Sequence, residues 1–89
     1  MEDTVSIARE DRLPFDSSVC VKVKDTSRKV ESVMDANEVL IDWPHARRGP
    51  VYQATMEVLR AAVAGTTSVD DAREAFVEFA THAGVFVDA

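Results

Sequence analysis

Apolar and polar residues alternate through residues 17–24, and this period of two predicts a half-buried β-strand. One face carries the apolar side chains Val19, Val21 and Val23, and the other carries Ser18, Cys20, Lys22 and Lys24. Residues 25–27, with the sequence Asp-Thr-Ser, predict a turn, because these side chains hydrogen-bond to nearby backbone. Residues 28–32 predict a second strand with Val30 facing inward, which completes a β-hairpin.

Two serine-capped helices are predicted beyond the hairpin. The first covers residues 33–43, where apolar residues recur at helical spacing and Pro44 excludes the residue before it from the helical region. The other covers residues 69–83, and Gly84 suits the position after its end. A serine precedes each helix and can cap its first turn: Ser32 and Ser68. The apolar stripes include three aromatic residues that we expect in the core: Trp43, Phe76 and Phe79.

A further helix, predicted over residues 50–64, lies between these two and is apolar over most of its surface. Pro50 suits its first turn and Gly65 suits the position after its end. Its polar face is narrow and consists of Gln53, Glu57 and Arg60. A helix with so little polar surface is buried on more than one side. We therefore expect it to be the central element or to lend one face to a partner.

These elements predict a small α+β domain of order β-β-α-α-α, with the valine face of the hairpin packed on the helices. The apolar residues 85–87 predict either a short C-terminal edge strand or an extended tail packed on the domain. Residues 1–16 are rich in charge and show no sustained period, so they predict a flexible N-terminal tail, with Phe15 as the point where it could become ordered. The domain itself is predicted over residues 17–89.

Composition limits the class of protein. The chain has 89 residues and one cysteine, so we expect a single domain without an intramolecular disulfide. No secretory signal is evident, and no apolar run approaches the roughly 18 residues that a membrane span needs. We therefore expect a cytoplasmic protein with no membrane partner. The net charge of −6 disfavours nucleic-acid binding, which draws most of its affinity from lysine and arginine.

The chain also carries a distinctive series of short motifs: Trp43-Pro44, Arg47-Arg48-Gly49-Pro50, Tyr52, Gly65, Ser68, Ala72-Arg73 and Ala75-Phe76. This spacing resembles a family of short, uncharacterised alphaproteobacterial proteins, domain of unknown function 982. The resemblance covers about residues 17–84. It implies a small α+β domain, and it brings no known activity or catalytic residue to this chain.

The connection between the first and second helices is the strongest candidate for a functional site. A helix N-terminus presents unpaired N–H groups, and arginine adds paired donors, so the connection could bind a phosphate or a carboxylate. The candidate anion-binding residues are His45, Arg47, Arg48, Gly49 and Tyr52. The alternative is structural: one arginine pairs with Asp42 or Glu38, and the connection only sets the crossing of the two helices.

A basic patch on the hairpin is the best candidate for binding nucleic acid. It consists of Lys22, Lys24, Arg28 and Lys29. The patch lacks the interleaved aromatic residues on which single-stranded nucleic acids stack. The sequence shows no catalytic constellation, no cluster of metal ligands and no cofactor motif. We therefore expect no enzymatic activity and no cofactor.

The leading hypothesis is a non-enzymatic protein-interaction or regulatory module. Its partner is either an unidentified protein or a second copy of the chain. A homodimer would form through the apolar surface of the second helix or through an edge of the hairpin. The alternative is a small-anion binding domain at the start of the second helix, and the third hypothesis is a weak nucleic-acid binder that uses the hairpin.

Overall fold

A computed structural model of the chain describes residues 12–23 and 25–87. The strands are β1 (Pro14–Val23), β2 (Thr26–Ser32) and β3 (Phe86–Val87), and the helices are α1 (Val33–Ile41), α2 (Pro50–Ala64) and α3 (Val69–Ala83). A short 3₁₀ turn, His45–Arg47, lies between α1 and α2. The α+β class predicted from the sequence, with an N-terminal hairpin and three helices, is confirmed.

The three strands form an antiparallel sheet in the order β2-β1-β3. Val19, Val21 and Val30 are almost fully buried, as the alternation of the hairpin predicts. β3 pairs with β1, where Phe86 lies opposite Val21. The C-terminal apolar run therefore adds an edge strand to the hairpin, which is the first of its two predicted arrangements.

β1 begins at Pro14, earlier than the sequence predicts. Residues 14–16 belong to the strand, so the prediction of a flexible tail is wrong for them. The physical reason is Phe15, whose side chain is buried in the core and holds this end of the strand in place. Proline is tolerated here because it is the first residue of the strand. Residues 1–11 of the predicted tail lie outside the described residues.

An irregularity in β1 ties the sheet to α3. The pairing of β1 with β2 shifts between Pro14 and Val19, so β1 bulges there. A bulge leaves backbone groups without ladder partners. The carbonyl of Ser17 in this segment accepts a hydrogen bond from Nε of Arg73 on α3, at 2.8 Å. The side chain of Arg73 thus supplies a hydrogen-bond donor to a backbone carbonyl in the irregular part of β1.

The hairpin turn is shorter than predicted. Thr26 and Ser27, two of its three predicted residues, lie in β2 opposite Val23 and Lys22. Pairing extends this far because the strand ladder satisfies backbone N–H and C=O groups that turn side chains would otherwise have to satisfy.

The bounds of α2 and α3 are those predicted, and each helix ends at a glycine in the left-handed region, Gly65 and Gly84. α1 is two residues shorter than predicted and ends at Ile41. The amide of Trp43 donates to the carbonyl of Leu40 at 3.1 Å, which makes a tighter turn than an α-helix. The following proline forces this departure, and the indole enters the core.

The central helix is α3, so the first of the two roles predicted for α2, that of the central element, is wrong. α3 contacts β1, β3 and both other helices, and its buried residues are Ala72, Phe76, Phe79 and Ala80. α2 buries a single stripe, Tyr52, Thr55, Leu59 and Ala62, while Val63 stays 57% exposed. The prediction that α2 is buried on more than one side is therefore wrong. Val51, Met56 and Val58 flank this stripe and are only partly buried against the core.

Asp35 organises the N-terminus of α1. Its amide donates to the hydroxyl of Ser32 at 3.1 Å, and its carboxylate accepts hydrogen bonds from the amide of Glu31 and the guanidinium of Arg12. Burial raises the pKa of Asp35, but the hydrogen bonds from Arg12 and the Glu31 amide outweigh it. The pKa therefore lies below its ordinary value.

We expect this carboxylate to make the protein sensitive to acid. Asp35 has a lower pKa in the folded state than in the unfolded state, so its stabilising contribution is present above about pH 4. The contribution is lost as the pH falls through the depressed pKa. As the pH is lowered from about 5 to about 3, the free energy of unfolding of Asp35→Asn should therefore fall by less than that of the original protein. Urea unfolding at each pH measures both values.

Asp70→Asn is the control for this experiment, because it removes an exposed carboxylate from the first turn of α3. We expect it to retain the pH dependence of the original protein. If Asp35→Asn showed that same dependence, the assigned role of Asp35 would be wrong.

Candidate functional site

The second arginine of the α1–α2 connection binds backbone carbonyls at the end of α1. Arg48 donates from Nε to the carbonyl of Trp43 at 3.1 Å and from Nη2 to the carbonyl of Ile41 at 2.9 Å. The last carbonyls of a helix have no partners within it. A cation at this position also opposes the negative end of the helix dipole. Arg48 therefore caps α1 from the far side of the connection.

Tyr52 joins the same arrangement from the first turn of α2. Its hydroxyl donates to the buried carbonyl of Leu40 at 2.9 Å, and the guanidinium carbon of Arg48 lies 5.0 Å from the centre of its ring. Phe79 packs edge-on against Tyr52 and also against Trp43, with ring centres 6.1 and 5.0 Å apart. Tyr52 thus links the end of α1 to the aromatic core.

The structure brings the five predicted anion-binding residues into one connection but gives them different environments. His45 and Arg47 lie in the exposed 3₁₀ turn, and Gly49 is the N-cap residue of α2. Arg47 makes no ion pair with any residue that the structure describes. Arg48 and Tyr52, by contrast, are hydrogen-bonded to backbone carbonyls, and neither arginine pairs with Asp42 or Glu38 within the described residues.

The basic residues of the hairpin do not form one patch. Arg28 faces α1 and donates to Glu38 at 2.7 Å, so Glu38 pairs with the hairpin and not with the connection. Lys22 and Lys29 lie on the opposite face of the sheet, as the register shows. Lys24 lies outside the described residues. The predicted patch is therefore divided between two faces.

A cavity of about 320 Å³ opens between the turn end of the hairpin and the α1–α2 connection, and we call it the hairpin pocket. Its apolar lining consists of Val23, Val39, Trp43, Pro44 and Val85, and its polar lining consists of Thr26, Arg28, Asp42 and Arg47. Among these lining residues, only Arg28 and Arg47 belong to the candidate sites predicted from the sequence. The other lining residues come from distant segments, and no local pattern marks them as neighbours.

A second apolar surface lies between two helices on the outside of the molecule. We call it the α1–α2 groove. It has a volume of about 380 Å³ and is lined by Met34, Asn37, Ile41, Met56, Leu59, Arg60 and Val63. Ile41 and Val63 are each 57% exposed, more than any other large apolar residue in the described part of the chain.

Other chemical groups are dispersed. Within residues 12–23 and 25–87, no three His, Cys, Asp or Glu side chains come together in a way that could hold a metal ion. None of the described helices is long and apolar enough to cross a membrane. Cys20 is half-buried and lies opposite Val87 of β3. Its thiol is therefore partly covered by the sheet edge.

The fold places the protein in a structural class, that of small α+β proteins in which three helices pack on a three-stranded antiparallel sheet. The family model described as "Protein of unknown function (DUF982)" matches residues 17–87, so the chain belongs to this family. The resemblance carried by the Trp-Pro and Arg-Arg-Gly-Pro motifs is thereby confirmed. No curated protein and no solved structure matches the chain.

Tyr52→Phe is expected to lower the free energy of unfolding by about 1 kcal/mol. The substitution removes the hydroxyl that donates to the buried carbonyl of Leu40, while the ring keeps its contacts with Phe79. Urea unfolding followed by circular dichroism measures the change.

Thr66→Val is the matched control, because Thr66 donates from an exposed hydroxyl to the carbonyl of Ala61 at the end of α2. We expect the free energy of unfolding of that variant to fall by less than about 0.5 kcal/mol. Equal losses in the two variants would contradict a special role for Tyr52.

Proposed function

We propose that the protein is a non-enzymatic interaction module that associates with a second copy of itself through the α1–α2 groove. The observation that carries the proposal is the exposure of Ile41 and Val63, each 57%, within one groove. Contiguous exposed apolar surface is typical of protein-interaction sites. The groove also contains Met34 and Met56, whose flexible side chains adapt to an opposing surface.

The spacing along α2 favours a second copy as the partner. Met56 and Val63 are two helical turns apart, and Leu59 and Arg60 lie midway between them. An antiparallel pairing of two α2 helices about a two-fold axis at that midpoint sets Val63 of one protomer against Met56 of its partner. The same surface then serves both copies, which is the requirement for a closed two-fold dimer.

The charge distribution is compatible with this pairing. Arg60 is the single charged residue among those that line the groove, and it is exposed. Burial of the groove therefore desolvates few charges. Glu57 lies one turn before Arg60 and is also exposed, so in this pairing the Glu57 side chains flank the two Arg60 side chains that meet beside the two-fold axis. Such charges at the rim contribute orientation more than affinity.

The two alternative functions have weaker support. For a small-anion site, two of the five candidate residues, Arg48 and Tyr52, are hydrogen-bonded to the backbone. For a nucleic-acid site, Arg28 pairs with Glu38, and the net charge of the chain is −6. The α1–α2 groove, by contrast, needs a partner to cover its apolar surface.

We expect the protein to be a dimer at tens of micromolar, with about twice the chain mass of 9.8 kDa in light scattering. Val63→Glu should shift the equilibrium to the monomer, because a dimer would then bury a charged carboxylate against the apolar side chain of Met56 of the partner. Circular dichroism should show the same helix content in both proteins, since Val63 is exposed on α2.

Val87→Glu is the control, because Val87 is an exposed apolar residue on the edge strand β3 rather than in the groove. The dimer should survive this change. A monomer in the original protein at these concentrations, or a dimer lost in Val87→Glu and retained in Val63→Glu, would refute the α1–α2 groove as the interface.

A further inference from the structure

The hairpin pocket combines an apolar wall with charges at its rim. Val39 and Trp43 are otherwise buried in the core, and their outer surfaces form part of the lining together with Val85. The volume of about 320 Å³ falls at the lower end of the range for small-molecule sites. A cavity of this size suits a molecule with one ring or one branched chain.

Two arginines give the rim its binding chemistry. Arg47 is exposed, lines the pocket and makes no ion pair with any described residue. Arg28 uses Nη2 to bind Glu38, but a guanidinium has five N–H donors, so others remain. The arginines reach the rim from different elements, the 3₁₀ turn and β2. Both therefore offer N–H donors to a ligand in the same pocket.

The end of α1 beside the pocket does not oppose an anion as strongly as a bare helix C-terminus would. The carbonyls of Ile41 and Trp43 accept hydrogen bonds from Arg48, whose positive charge also offsets the helix dipole. Asp42 is the one acidic residue among those that line the pocket. Two arginines and one aspartate give the lining a net charge of +1, which suits a ligand with a single carboxylate better than a dicarboxylate.

We infer that the hairpin pocket binds a small apolar molecule that carries one carboxylate. The apolar part lies against Val39, Trp43 and Val85, and the carboxylate faces Arg47, with Arg28 as the second cation. None of the residues that line this pocket lines the α1–α2 groove. The inference is therefore independent of self-association, and either one can fail without the other.

The test uses 3-phenylpropanoate as the probe and 3-phenylpropanamide as its uncharged analogue of the same shape. Trp43 is the single tryptophan of the chain and lines the pocket, so its fluorescence reports binding directly. Amide chemical shifts of the ¹⁵N-labelled protein locate the site. We expect a saturable change in Trp43 emission with the carboxylate, shifts centred on the lining residues, and binding of the amide at least about tenfold weaker.

Two variants separate the charge from the cavity. Arg47→Gln should weaken binding of 3-phenylpropanoate by about tenfold or more, and Lys29→Gln, which removes an exposed cation from the opposite face of the sheet, should leave it unchanged. Thr26→Phe places a ring at the mouth of the pocket from an exposed strand position and should block both probes. Dispersed amide spectra verify that each variant is folded.

Three results would overturn the inference. The first is the absence of any saturable fluorescence or shift change at millimolar 3-phenylpropanoate. The second is equal affinity for the carboxylate and the amide, since the arginines would then play no part in recognition. The third is a set of shifts centred on other residues, which would place the binding outside the hairpin pocket.

Discussion

The carbonyl groups at the end of α1 need hydrogen-bond donors from outside the helix, and the chain supplies them from residues that follow the turn. Pro44 stops the helix, and Arg48 and Tyr52 then bind the carbonyls of three residues between Leu40 and Trp43. These contacts hold the first turn of α2 against the last turn of α1. They also keep the indole of Trp43 in the core, where it meets α3.

The parts of the fold with local signals are predictable from the sequence. Proline, serine and glycine mark the ends of α2 and α3, and their bounds follow from the backbone preferences of those residues. The start of β1 at Pro14 has no local pattern, because Phe15 is held in place only through core contacts with distant residues. The central position of α3 also depends on contacts between distant residues. The composition of α2 shows how much of that helix is apolar, but it does not show which side other elements cover.

The sequence identifies the segment that contains the candidate site, but it does not reveal how the side chains of that segment are arranged. The pair Arg47-Arg48 at a helix entrance draws attention to the connection, but its residues have opposite roles. Arg48 turns back to the carbonyls of α1, whereas Arg47 remains exposed beside the hairpin pocket. Which arginine turns inward depends on the path of the chain after Pro44. The hairpin pocket is assembled from several separate segments, so periodicity and spacing carry no sign of it.

The division of roles between the two adjacent arginines is the central claim, and one comparison tests it directly. The free energy of unfolding in urea is measured for Arg48→Ala and Arg47→Ala under the same conditions. Arg48→Ala should lose about 1–3 kcal/mol, because it leaves two carbonyls without their charged donor. Arg47→Ala should stay within about 0.5 kcal/mol of the original protein. Equal losses, or a larger loss in Arg47→Ala, would contradict the capping of α1 by Arg48.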